Sequence, residues 1–66
     1  MKDRLEALIV EMVEKGIRLD LASRDFERKF LRIALQMNQG SRLDTARALG
    51  IHRNTLINKM TKHGLR

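Results

Sequence analysis

The sequence predicts an all-α fold of four helices in one small domain. Three observations carry that reading. Proline is absent, the four glycines (Gly16, Gly40, Gly50, Gly64) fall where helices would end, and apolar residues recur at helical spacing with no alternating strand pattern. At 66 residues the chain holds one domain at most, and a monomeric core of that size is marginal. Small scaffolds gain stability from disulfides, a structural metal or a partner subunit. With no cysteine, disulfides and thiolate metal sites are excluded. His52 and His63 lie far apart with no acidic ligand spaced to join them, so neither a metal nor a cofactor is expected. Oligomerisation is the remaining route.

The first helix is expected from Asp3 to Lys15, with Asp3 and Glu6 favouring its positive end. Leu5, Leu8, Ile9, Met12 and Val13 mark one apolar face, and Gly16 is a left-handed stop. A connector, Ile17 to Leu19, leads to a second helix reaching about Asn38, with Asp20 or Ser23 as its N-cap. Phe26, Phe30, Ile33 and Met37 form a coiled-coil-like seam on it, and Leu31, Ala34 and Leu35 extend the apolar surface to a neighbouring arc. One protomer has few elements to cover both arcs, so a homodimer packed through the first two helices is expected. Its interface would use Leu5, Ile9, Met12, Phe26, Phe30, Ile33 and Met37.

The turn signal Asn38-Gln39-Gly40 divides the chain into an assembly half, residues 1–39, and a basic half, residues 40–66. The first half carries eight Lys/Arg against seven Asp/Glu, the second six against Asp44 alone, so that +1 and +5 make up the net +6. Clustered basic charge is the footprint of a polyanion partner, though a solvated charged face gives the same count. Ser41-Arg42-Leu43-Asp44 matches a capping box for a short third helix ending at Leu49, with Ala46 and Leu49 inward. Small Ala46 permits close helix approach, Gly50 supplies the turn, and Ile51 and Leu56 plug the angle before a fourth helix begins near Arg53. This is a helix-turn-helix pattern, in which the second helix enters the major groove.

With Leu56 and Met60 inward, Asn54, Ile57, Asn58 and Thr61 fall on the outer arc and His52 and Arg53 lead. Arg53 is the candidate for guanine O6 and N7, and Asn54 or Asn58 for adenine. Thr55, Lys59 and Lys62, with Ser41 and Arg42 at the preceding helix start, suit phosphate. Ile57 fits either a thymine methyl or a packing surface.

Taken together, Gly40-Ser41, Ala46, Ala48-Leu49-Gly50-Ile51, Arg53-Asn54-Thr55-Leu56, Lys59-Met60 and Gly64-Leu65 resemble the Fis (factor for inversion stimulation) family. That family includes the C-terminal DNA-binding domains of NtrC-type bacterial transcription activators. Phe26-Glu27-Arg28-Lys29-Phe30-Leu31 is similar to the helix that precedes the motif there, and the resemblance runs from about Ile17 onward. It implies a homodimer with intertwined first helices, each helix-turn-helix meeting successive major-groove segments of bent double-stranded DNA. Family contact positions map onto Ser41, His52, Arg53, Thr55, Asn58 and Lys59. Arg53, Thr55 and Lys59 match in type, while His52, Asn58, Leu43 and Ile57 depart from the usual residues. The segment before the first helix is too short for the β-hairpin arm linked to recombinase activation, so that activity is not carried over. An ATPase domain is likewise missing from this stretch of sequence.

The expected function is therefore a bacterial, cytoplasmic and nucleoid-associated transcriptional regulator, not an enzyme. No nucleophile set, phosphate loop or carboxylate pair stands out, and no small-molecule substrate is implied. The longest apolar run, Ala7 to Val10, is too short to span a membrane. The competing reading is a helical protein-interaction module whose basic helix docks on an acidic partner. RNA is disfavoured because Phe26 and Phe30, the two aromatics, both belong to the apolar seam.

Overall fold

A computed structural model describes residues 2–66, with side chains from Asp3 onward. Four helices and no strand occur among the described residues: α1 (Lys2–Glu14), α2 (Leu19–Met37), α3 (Arg42–Leu49) and α4 (Arg53–Lys62). Apart from the start of α2, each bound lies within a residue or so of expectation, and local chemistry explains the ends. After α1 the amide of Ile17 donates back to the Met12 carbonyl at 3.1 Å, with Gly16 left-handed between them. At the end of α2 the Gly40 amide does the same to the Leu35 carbonyl at 2.8 Å.

The start of α2 departs from expectation. Arg18, not Asp20 or Ser23, holds the N-cap position, and its side chain makes no capping bond. Asp20 sits inside the first turn, where its carboxylate accepts the Leu21 amide at 2.9 Å. An acid so placed offsets the positive helix end without being the cap itself. The capping box of α3 is half formed. Ser41 Oγ accepts the Asp44 amide at 3.1 Å, but the Ser41 amide goes to the Asn38 carbonyl at 2.9 Å rather than to Asp44. The preceding turn has already used the donor that a reciprocal bond requires.

The turn between α3 and α4 is built as its sequence requires. Gly50 caps α3 at φ 70°, a left-handed conformation that costs a side-chain-bearing residue energy, and the Ile51 amide closes back on the Ala46 carbonyl at 3.0 Å. Thr45, fully buried, donates its hydroxyl to the Ser41 carbonyl and so enters the core with no unpaired polar atom.

Leu31 and Leu35 of α2, Ala46 of α3, and Leu56 and Met60 of α4 form the buried core, with Leu49, Ile51 and Leu65 packed against it. The second arc of α2 is thus covered within the protomer by α3 and α4. Leu31 and Leu35 are the joint between α2 and the α3–α4 pair.

The other arc has no such cover. Phe26 and Phe30 are 57% and 51% exposed, their rings 5.7 Å apart, and Ile33 and Met37 continue the exposed stripe. On α1, Leu8, Ile9, Val10 and Val13 are exposed and Leu5 and Met12 half-buried. Leu5, Ile9, Met12, Phe26 and Phe30 line one open groove of about 910 Å³, while Ile33 and Met37 lie beyond it. The chain is correspondingly extended, measuring 38 × 23 × 17 Å with a radius of gyration of 13.5 Å. A compact chain of this length has a radius near 11 Å.

Candidate nucleic-acid interface

The interface is organised around α4, whose inner row is Leu56, fully buried, and Met60. With those two fixed, helical geometry turns the remaining polar residues outward. Arg53, Asn54, Thr55, Asn58, Thr61 and Lys62 are all exposed. Ile57 is half-buried, so its aliphatic chain is divided between the protein and the outer surface.

His52 occupies the N-cap of α4, and its Nδ1 accepts the Asn54 amide at 3.0 Å. That bond fixes the ring and leaves Nε2 at the leading end of the helix. Ser41 is half-buried and plays the same part for α3; its hydroxyl accepts from Asp44 and retains its own proton to donate. Arg42, in the first turn of α3, is exposed. The expected contact residues at the starts of α3 and α4 therefore double as caps or lie beside them.

Lys59 is placed differently from the expectation of a free phosphate contact. Its Nζ donates to Glu27 Oε2 at 2.9 Å, and the two side chains are each about one-third exposed. The same carboxylate receives His63 through its other oxygen, Glu27 Oε1 to Nε2 at 2.8 Å. A carboxylate accepts only, so a proton sits on Nε2, and the buried Nδ1 has no partner. The His63 and Lys59 hydrogen bonds hold the Glu27 carboxyl at about 2, well below its ordinary 4.5. Beside it, Arg28 Nε donates to the His63 carbonyl at 3.2 Å. Two consecutive residues of α2 thereby grip the C-terminal turn of α4 and fix how the helix is held.

Sequence reasoning assigns no role to Glu27, Arg28 or His63, yet a signal is present. Glu27 heads the row Leu31–Leu35 at four-residue spacing, and His63 continues Leu56–Met60 three residues on. Two polar residues on the core rows of two helices invite pairing with each other, because a buried polar group left alone is costly.

Residues 22–63 match a family model described as Bacterial regulatory protein, Fis family. The match takes in the seam, the Glu27–Lys59–His63 cluster and the whole of α3 and α4. No curated protein and no solved structure shows a significant match to the chain.

Proposed function

The chain belongs to the Fis family of bacterial regulatory proteins, whose domain is a DNA-binding one, and from that premise we propose that it is a homodimeric, sequence-reading and DNA-bending transcriptional regulator. The observation that carries the reading is the division of polar and apolar surface. An outward polar face on α4, capped by His52 and led by Arg53, lies in the same chain as an uncovered apolar stripe on α1 and α2.

The apolar stripe supports the dimer. Exposed aromatic and aliphatic residues in a continuous groove are costly in water, and a second copy of the same stripe is self-complementary under two-fold symmetry. Leu5, Ile9, Met12, Phe26, Phe30, Ile33 and Met37 are the proposed interface. In such a dimer each protomer presents one α4, and two recognition helices entering grooves one turn apart read a pseudo-palindromic site. Where their separation falls short of a turn, the duplex must bend, and part of the specificity then comes from deformability.

Within α4, Arg53 is assigned to base reading, and Asn54 and Asn58 to neighbouring bases. Thr55, Lys62, Ser41 and Arg42 are assigned to phosphates, His52 to the backbone beside the leading end through Nε2. Lys59 keeps a secondary role, because phosphate must compete for it with Glu27.

The test is a gel-shift titration on random-sequence duplexes at several salt concentrations, with sizing of the bound species. Two protomers per duplex and affinity falling steeply with salt are expected. A correctly folded protein that shifts no duplex at low salt overturns the reading. On a selected site, Arg53→Ala should cost about 1–3 kcal/mol and relax discrimination at one position. Equal losses on every sequence would reassign Arg53 to phosphate.

A further inference from the structure

The three carboxylates of α2 are all engaged by cations other than three arginines of the same helix. Asp20 pairs with Arg18 at 3.6 Å, Asp25 with Lys29 at 2.7 Å, and Glu27 with Lys59 and His63. Arg24, Arg28 and Arg32 are exposed, and none has a carboxylate partner among the described residues. They succeed one another at four-residue spacing, so their side chains leave one face of α2 about 6 Å apart along the axis. At 100° per residue that face lies roughly opposite the Phe26–Phe30 stripe. A partner covering the stripe leaves the arginines in water.

Their position relative to α4 is also set. Arg28 is bonded to the carbonyl of His63, the C-cap of α4, and Arg32 lines a shallow hollow with Gln36, Gln39, Leu65 and Arg66. Lys62 stands exposed in the last turn of α4. Positive charge therefore continues from the C-terminal end of α4 across onto α2.

We propose that Arg24, Arg28 and Arg32 form a second anion-binding ridge that holds the phosphate backbone of DNA flanking the site read by α4. The proposal rests on the DNA-binding reading of α4. Guanidinium groups present planar forks suited to phosphate oxygens. On that face the exposed apolar side chain is Leu21, at one end of the row rather than at its centre, where protein interfaces concentrate their anchors.

The experiment compares wild type with the double variant Arg24→Gln, Arg32→Gln on random-sequence duplexes of about 18 and about 40 base pairs, the shorter just spanning two grooves a turn apart. Arg28 is left in place because it also holds α4. The slope of log affinity against log salt should be steeper for wild type on the long duplex, and the variant should lose about 0.9 of slope for each phosphate contact removed. On the short duplex the two proteins should bind alike. An unchanged slope on the long duplex overturns the ridge as a DNA contact, and a protein partner becomes the alternative. Equal losses on both lengths overturn the flanking position. Wild type that binds neither duplex sinks the DNA-binding reading itself, a separate outcome. Glutamine is a good helix former, so the thermal midpoint should hold; if the double variant melts early, Arg24→Gln alone gives the same test at half the size.

Discussion

The two ends of this chain differ in what stabilises them. From Leu31 onward the helices bury a shared core of Leu31, Leu35, Ala46, Leu56 and Met60, with Thr45 and His63 buried beside it. Before Leu31 no described residue is buried, although that segment is richer in large apolar side chains than the rest of the chain. The difference shows that apolar content does not by itself make a core. In α3 and α4 a few small, well-placed residues close against α2, whereas α1 and the first turns of α2 display their apolar face. The carboxyl half closes a core within the protomer, whereas the apolar face of the amino half is left uncovered there.

The largest effects should come from breaking each half at its centre. In the amino half Phe30→Ala is expected to cost about 3–5 kcal/mol, taken from dimer association. Sedimentation would show a shift to monomer while α3 and α4 keep their helicity. A variant that dimerises as tightly as wild type would remove Phe30 from the interface. In the carboxyl half Leu56→Ala is expected to cost about 2–5 kcal/mol. Leu56 is fully buried in the core shared by α2, α3 and α4, so urea denaturation should show all three lost together. A small, local loss would mean that the core repacks around the missing side chain.

The same contrast governs what is legible in the sequence. Helix number, the glycine stops and the inward row Leu56–Met60 arise from local periodicity and turn chemistry, which act over a few residues. The cap of α2 is not legible in this way, because Asp20 satisfies a free amide equally well from one residue inside the helix. Whether Leu31 and Leu35 meet a partner or their own chain is not legible either, because a sequence does not say which arc of a helix its own chain folds back to meet. Lys59 looks like a free cation for a related reason. Its carboxylate partner lies more than thirty residues away and becomes a neighbour only once α2 and α4 are packed. Arg53 and Asn58, in contrast, stand exposed on the face where the periodicity of α4 puts them.

A smaller effect sharpens how the halves are joined. Glu27 has a carboxyl held at about 2 against an ordinary 4.5, so its ionised form favours the folded state. That contribution is complete above about pH 4.5 and is lost as pH falls toward 2, the range over which the unfolded chain takes up the proton first. Allowing for the solvent that screens a carboxylate one-third exposed, roughly 1–2 kcal/mol is expected. Glu27→Gln should keep the fold but flatten this acid limb in thermal melts. A variant with the wild-type limb would place the acid sensitivity elsewhere, for example in the exposed Glu11–Lys15 and Asp25–Lys29 pairs.

The smallest effect separates two roles for one residue. If Lys59 contacts phosphate freely, Lys59→Ala should reduce the salt slope of binding by about 0.9 per protomer. Tied to Glu27 at 2.9 Å, it must break one ion pair to make another, and the expected change is well below that figure. Loss of a partly exposed pair should lower stability by less than about 1 kcal/mol, because His63 still holds the carboxylate from the other side. The decisive quantity is therefore the ratio of the two changes. A visible fall in thermal midpoint with a nearly unchanged slope keeps Lys59 with the joint between α2 and α4. A full loss of slope with an unchanged midpoint moves it to the DNA face, where it would extend the phosphate contacts already assigned to Thr55 and Lys62.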